Sequence, residues 1–192
     1  MLDQMPIIGV MGSHAKGWEE YTVPLGRMIA QHDYHLLTGA GAGVMMAVSK
    51  AFCEKTNRAG LSIGIVPTVN YDGKFVPRAQ YPNPYIEIPI LTPLDIKAQN
   101  DSTPFSRNYV NVMTSHAIIA LPGEHGTQNE VSLAIHFKKP LILFGPETAF
   151  DKFPSQTTRT HDIEEVREFL EKVAAKIHED EIKLSKDDRE VD

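Results

Sequence analysis

A single cysteine, Cys53, stands in the 192 residues, which excludes an internal disulfide framework and any metal site built from several thiolates of one chain. Basic residues are also in short supply: 19 Lys and Arg against 25 Asp and Glu leave a formal charge of −6. Binding a nucleic-acid backbone draws on a cationic surplus to displace counterions, so no nucleic-acid partner is expected. No apolar run approaches the roughly 20 residues of a membrane span, and Met1-Leu2-Asp3-Gln4 has neither the basic nor the apolar region of a secretory signal. No membrane partner is expected, and a cytoplasmic setting follows as the default.

What the chain does have is apolar residues in short continuous runs: 6–11, 34–37, 61–66, 86–91, 117–121 and 140–144. Continuous rather than alternating runs predict strands buried on both faces. Helical spacing lies between most of them: Leu25, Met28 and Ile29 within 22–32, and Val44, Val48, Ala51 and Phe52 within 44–55. Strand then helix, repeated, predicts a doubly wound α/β domain with a parallel sheet flanked by helices. Cys53 falls in the second helix and reads as a packing residue.

A third helix is expected from Thr103-Pro104 to about Ser115, with Phe105, Tyr109, Val112 and Met113 inward and Arg107 and Asn111 sharing a more polar face. A fourth should follow Thr127 and bury Val131, Ala134 and Ile135. The last should begin near Asp162, with Glu165 as its capping-box partner, and present Ile163, Val166, Leu170, Val173 and Ile177 to the sheet or to a second subunit. Residues 67–84, with four prolines, predict a long loop near the site or an excursion over the sheet. Residues 1–178 are read as one ligand-binding domain and 179–192 as a charged tail exposed to solvent.

Three glycine turns would open on the crevice beyond the strand C-termini, where open α/β sheets bind ligands. They are Gly12-Ser13-His14 after the first strand, Gly39-Ala40-Gly41-Ala42-Gly43-Val44-Met45 after the second, and Pro122-Gly123-Glu124-His125-Gly126-Thr127-Gln128-Asn129-Glu130 after the fifth. The third ends a strand, turns on glycine and starts a helix whose free N–H groups suit a phosphate. Thr127 and Glu130 also have the T-x-x-E spacing of a capping box, in which Glu130 would serve the helix rather than a ligand. Arg107 is poorly placed in a first helical turn, where the dipole repels cations. That leans toward a functional role over a solvated residue or a partner for Asp101.

Gly39 to Met45, Arg107 four residues before Asn111, and Pro122-Gly-x-x-Gly-Thr-x-x-Glu130 together resemble the LOG (Lonely Guy) family, also labelled lysine-decarboxylase-like, and its relatives the molybdenum-cofactor carrier proteins. The likeness runs from about Ile7 to Gly145. It implies a Rossmann-like, nucleotide-binding fold and a homodimer. It also implies an N-glycosidase releasing free base and ribose 5-phosphate from AMP-like nucleotides, with Arg107 and Glu130 as catalytic pair. Gly12, Ser13, Gly39, Gly41, Gly43, Met45, Asn111, Pro122, Gly123, Gly126 and Thr127 would hold the nucleotide or a related phosphorylated ligand. A carboxylate at Glu130 could stabilise an oxocarbenium-like state or orient water, and His14, His116 and His125 are candidates to protonate the leaving base.

Three residues depart from the family pattern: Glu124 for the second glycine, Asn111 for a methionine, and Asn129 for an acidic residue. A carboxylate beside a phosphate site is unfavourable unless it turns away or pairs with a cation, so a non-catalytic nucleotide or molybdenum-cofactor carrier is the rival reading. Lysine decarboxylation would need pyridoxal phosphate on a lysine that no motif here supports, and no ligand spacing suggests a metal. No resident cofactor is expected.

Overall fold

The structure, a computed structural model, describes residues 5–94 and 106–187. Among the described residues, eight strands and five α-helices follow one another: β1 (Ile7–Met11), α1 (Glu19–Gln31), β2 (His35–Thr38), α2 (Val44–Cys53), β3 (Ser62–Tyr71), β4 (Lys74–Pro77), β5 (Ile88–Thr92), α3 (Arg107–Thr114), β6 (Ala117–Ala120), α4 (His125–His136), β7 (Leu141–Phe144), β8 (Arg159–Thr160) and α5 (Ile163–Asp187). The strands make one sheet in the order β4-β3-β2-β1-β6-β7-β8, with β5 beside β3 off that path. Every pairing is parallel except that of β3 with β4. The chain steps outward from β1 to β3 and then resumes on the other side with β6, so the winding direction reverses between β1 and β6. Crossover loops on the two sides diverge there and leave a crevice at the strand C-termini.

Successive strand residues face opposite sides, and the apolar runs supply both sides at once. Leu36 and Ile119 join Leu25, Ile29, Val48, Phe52, Val166 and Leu170 in the core beneath α1, α2 and α5. Their neighbours Leu37 and Ile118 join Val112, Val131 and Ala134 beneath α3 and α4. The doubly wound parallel sheet is therefore present, and α5 packs on this chain's own sheet.

Several local expectations are corrected. The run 86–91 does not form a strand buried on both faces: β5 lies on the sheet margin with β3 as its parallel partner, and Ile88, Ile90 and Leu91 are exposed. Nor is 67–84 a plain loop. β3 continues to Tyr71 and turns through Asp72-Gly73, both at positive φ, into β4. Asp-Gly is the pair that a two-residue hairpin turn favours. The expected N-cap Thr103 and the stripe residue Phe105 lie outside the described residues, and α3 begins at Arg107 with Ser106 Oγ accepting from the Tyr109 N–H.

The face of α3 is the largest reversal. Arg107 and Asn111 are buried with Val112, whereas Met113 is exposed. Helix α4 starts at His125, before Thr127 rather than after it. At α5, Asp162 caps by accepting from the Glu164 N–H, but its own N–H donates to Thr160 Oγ1, so Glu165 forms no capping box. The helix then runs through part of the expected tail to Asp187.

Leu170, fully buried on α5, is the test of that helix's attachment. Leu170→Ala should cost about 2–5 kcal/mol in urea denaturation.

Candidate functional site

The three glycine turns meet through the backbone of one residue, Ser13. Ser13 N–H donates to Pro122 O at 3.1 Å, and Ser13 O accepts from Val44 N–H at 2.9 Å. The turn after β1 is thereby bonded to the turn after β6 and to the first residue of α2. Gly123 permits the approach, since an added Cβ would collide with Thr127 Oγ1 and lie 3.0 Å from Ser13 N.

Above this junction lies a cavity of about 410 Å³, of the size that takes small-molecule ligands. Of the residues singled out in the sequence, Gly12, Ser13, Gly39, Met45, Arg107, Asn111, Gly126, Thr127 and Glu130 line it. Gly41, Gly43, Pro122 and Gly123 do not; they shape the turns behind the wall. Val10, Met11, His14, Ala15, Tyr81, Asn108 and Glu124 complete the lining. Tyr81 went unread because it lies in the proline-rich segment, where periodicity gives no register. Asn108 is one residue past Arg107, off the polar pair that drew notice.

Helix α4 presents its first turn to the cavity through Gly126 and Thr127, and the Glu124 side chain does not cap it. N–H groups at such a helix start, with the positive dipole end, attract anions. Asn108 Nδ2 donates to Asn129 Oδ1 at 3.0 Å and ties α3 to α4 beside this turn.

Arg107 and Glu130 both face the cavity, but each hydrogen-bonds elsewhere. The buried guanidinium donates through Nη1 to Gly39 O at 2.6 Å and, more weakly, to Ile65 O at 3.4 Å. Its Nε has no partner among the described residues. Glu130 Oε1 accepts from Asn111 Nδ2 at 2.8 Å. Glu130 is thus no capping-box residue: Thr127 lies inside α4, and the carboxyl turns to α3 instead. Burial pushes the Glu130 carboxyl up from 4.5 to about 7, against the pull of the Asn111 hydrogen bond and the Arg107 charge.

Of the three histidines considered as proton donors, His14 alone lines the cavity. His125 is exposed at the start of α4. His116 is at the opposite end of the sheet, before β6, where its Nδ1 accepts from Ile7 N–H at 2.9 Å.

A model of the SLOG cluster 4 family matches residues 5–173, with the crevice and all three glycine turns inside the match. The chain belongs to that family. As a SLOG cluster 4 protein it has a LOG-like fold, and its solved neighbours include two proteins described by what they bind. The molybdenum cofactor carrier protein of Chlamydomonas reinhardtii is 27% identical with a TM-score of 0.65, covering 90% of this chain and 99% of that one. The molybdenum cofactor binding protein of the phototrophic bacterium Rippkaea orientalis is 29% identical with a TM-score of 0.65, covering 88% and 98%. An uncharacterized protein of Archaeoglobus fulgidus is 26% identical over 146 residues, 75% of this chain and 83% of that protein. No helix among the described residues of this SLOG cluster 4 chain is long and apolar enough to cross a membrane.

The Glu130 environment has a signed consequence for stability. A carboxyl whose folded value is raised from 4.5 to about 7 carries no penalty below 4.5, loses stability as pH rises, and bears the full penalty above about 7. Glu130→Gln, whose amide oxygen can still accept from Asn111, should therefore melt higher than wild type at pH 8, by up to about 3 kcal/mol. The gain should vanish near pH 4 in the same thermal series.

Proposed function

We propose that this protein binds a phosphorylated heterocycle of the molybdenum-cofactor class in the crevice and carries it without turnover. The observation that carries the reading is how the two expected catalytic side chains are engaged. Arg107 Nη1 is engaged by the carbonyls of Gly39, just past β2, and of Ile65 within β3, and Glu130 is bonded by Asn111. A carboxyl titrating at about 7 is charged only part of the time at neutral pH, which weakens it as a partner for a cationic sugar.

The remaining features fit cargo with a phosphate and a planar ring. The start of α4 offers the phosphate its N–H groups, and Gly39 and the Tyr81 ring line the same cavity of about 410 Å³. Exposed Glu124 faces the same space and disfavours a second bare anion beside the first. The two similar proteins described as cofactor carrier and cofactor binder support the class of ligand. The homodimer that the family resemblance implies belongs to this proposal, and light scattering on the purified chain checks it.

A second reading, hydrolysis of a nucleoside 5′-monophosphate to base and ribose 5-phosphate, has one observation in its favour. Glu130 lines the cavity and titrates where it can accept a proton from water at neutral pH.

The two readings separate in one set of experiments. The carrier reading expects molybdenum cofactor to stay with the protein through gel filtration and no free base from a panel of nucleoside monophosphates by liquid chromatography. Gly123→Ala, which drives a methyl into Thr127 and the Ser13 peptide, should weaken retention about tenfold or more. Base release that disappears in Glu130→Ala would instead establish the hydrolase.

A further inference from the structure

Tyr81 enters the cavity from the segment between β4 and β5, and neither the glycine turns nor the Arg107 and Glu130 pair accounts for it. Its ring is half-buried, stacks on His14 with centroids 6.2 Å apart and planes 27° apart, and lies 5.8 Å from the Arg107 guanidinium. Gly41 makes room for this cluster: an added Cβ there would lie 2.9 Å from His14 Nδ1 and 3.2 Å from Tyr81 Cε1.

The segment carrying Tyr81 is anchored. Buried Asn83 donates through its N–H to Ala40 O and through Nδ2 to Gly41 O, each at 2.9 Å, while its Oδ1 accepts from Tyr85 N–H at 3.1 Å. Tyr81 N–H donates to Arg78 O at 3.0 Å. The ring therefore holds a set position over the end of β2, and an aromatic face presented that way is pre-organised for stacking. Helix α4 starts on the other side of β1, after β6. A ligand with its phosphate at α4 and its ring over β2 would span the crevice.

We propose that Tyr81, backed by His14, is the shelf on which the planar nitrogen heterocycle of the ligand stacks, and that it sets the preference for ring-bearing phosphates over simple sugar phosphates. This rests on the reading of the crevice as a site for a phosphorylated heterocycle. Stacking tolerates any flat base, because each has a π face, so ordinary nucleotides report on the shelf whatever the cargo.

Titration calorimetry with ribose 5-phosphate, AMP, GMP and an unphosphorylated pterin tests it on wild type, Tyr81→Phe, Tyr81→Leu and Tyr81→Ala. Wild type should bind the nucleotides about tenfold or more tighter than ribose 5-phosphate. Tyr81→Ala and Tyr81→Leu should erase that advantage and leave the ribose 5-phosphate Kd unchanged, with Tyr81→Phe retaining it. Tyr81→Leu keeps the bulk without the π face, so folding defects in Tyr81→Ala do not decide the matter. Equal weakening of sugar phosphate and nucleotides, or no change in either, overturns the shelf. Pterin binding that depends on Tyr81 alongside no phosphate binding keeps the shelf and removes the phosphorylated-ligand reading, and a wild type that binds none of the four probes overturns both.

Discussion

The backbone of Ser13 holds the crevice in register. Its N–H goes to the turn after β6 and its carbonyl to the start of α2, so the turn that leads into α4, the start of α2 and the end of β1 are tied together at one residue. Winding reversal alone would leave a cleft between β1 and β6, and the two backbone bonds of Ser13 tie its walls together. Everything placed across it inherits this spacing: the first turn of α4 on one wall and the β2 turn with Met45 on the other. Arg107 adds a second fastening, running from α3 to the carbonyls of Gly39 after β2 and Ile65 within β3.

Placing Arg107 and Asn111 on the inner face of α3 is the strongest departure from ordinary amphipathic packing. A helix normally turns its apolar stripe inward, and here Met113 is given to solvent so that two polar side chains can face the cavity. Two of the buried polar atoms have partners that help the arrangement: backbone carbonyls for Nη1 of Arg107, and a carboxyl for Nδ2 of Asn111. Arg107 Nε and Asn111 Oδ1 are left over. Such exceptions concentrate at functional sites, where local rules yield to a ligand's needs.

The layer architecture was legible because continuous apolar runs and helical spacing depend on burial, which the fold honours nearly everywhere. The wall residues named from the glycine turns were legible because a strand that ends in glycine before a helix has few conformations open to it. What failed were inferences from periodicity where something other than burial chose the face. The stripe on α3 was misread because site geometry outranked hydropathy. The strand at 86–91 was misread because a continuous run carries no mark of whether it lies inside a sheet or at its margin. β8, two residues long, leaves no pattern to find. The Asp72-Gly73 turn did carry a hairpin signal, but the prolines around it suggested a loop. Tyr81 and Asn108 were missed because what places them is a contact across the fold.

The carboxyl of Glu130 gives the cavity an adjustable charge. Burial holds it above the usual carboxylate range, and an anion brought beside it would disfavour the ionised form further.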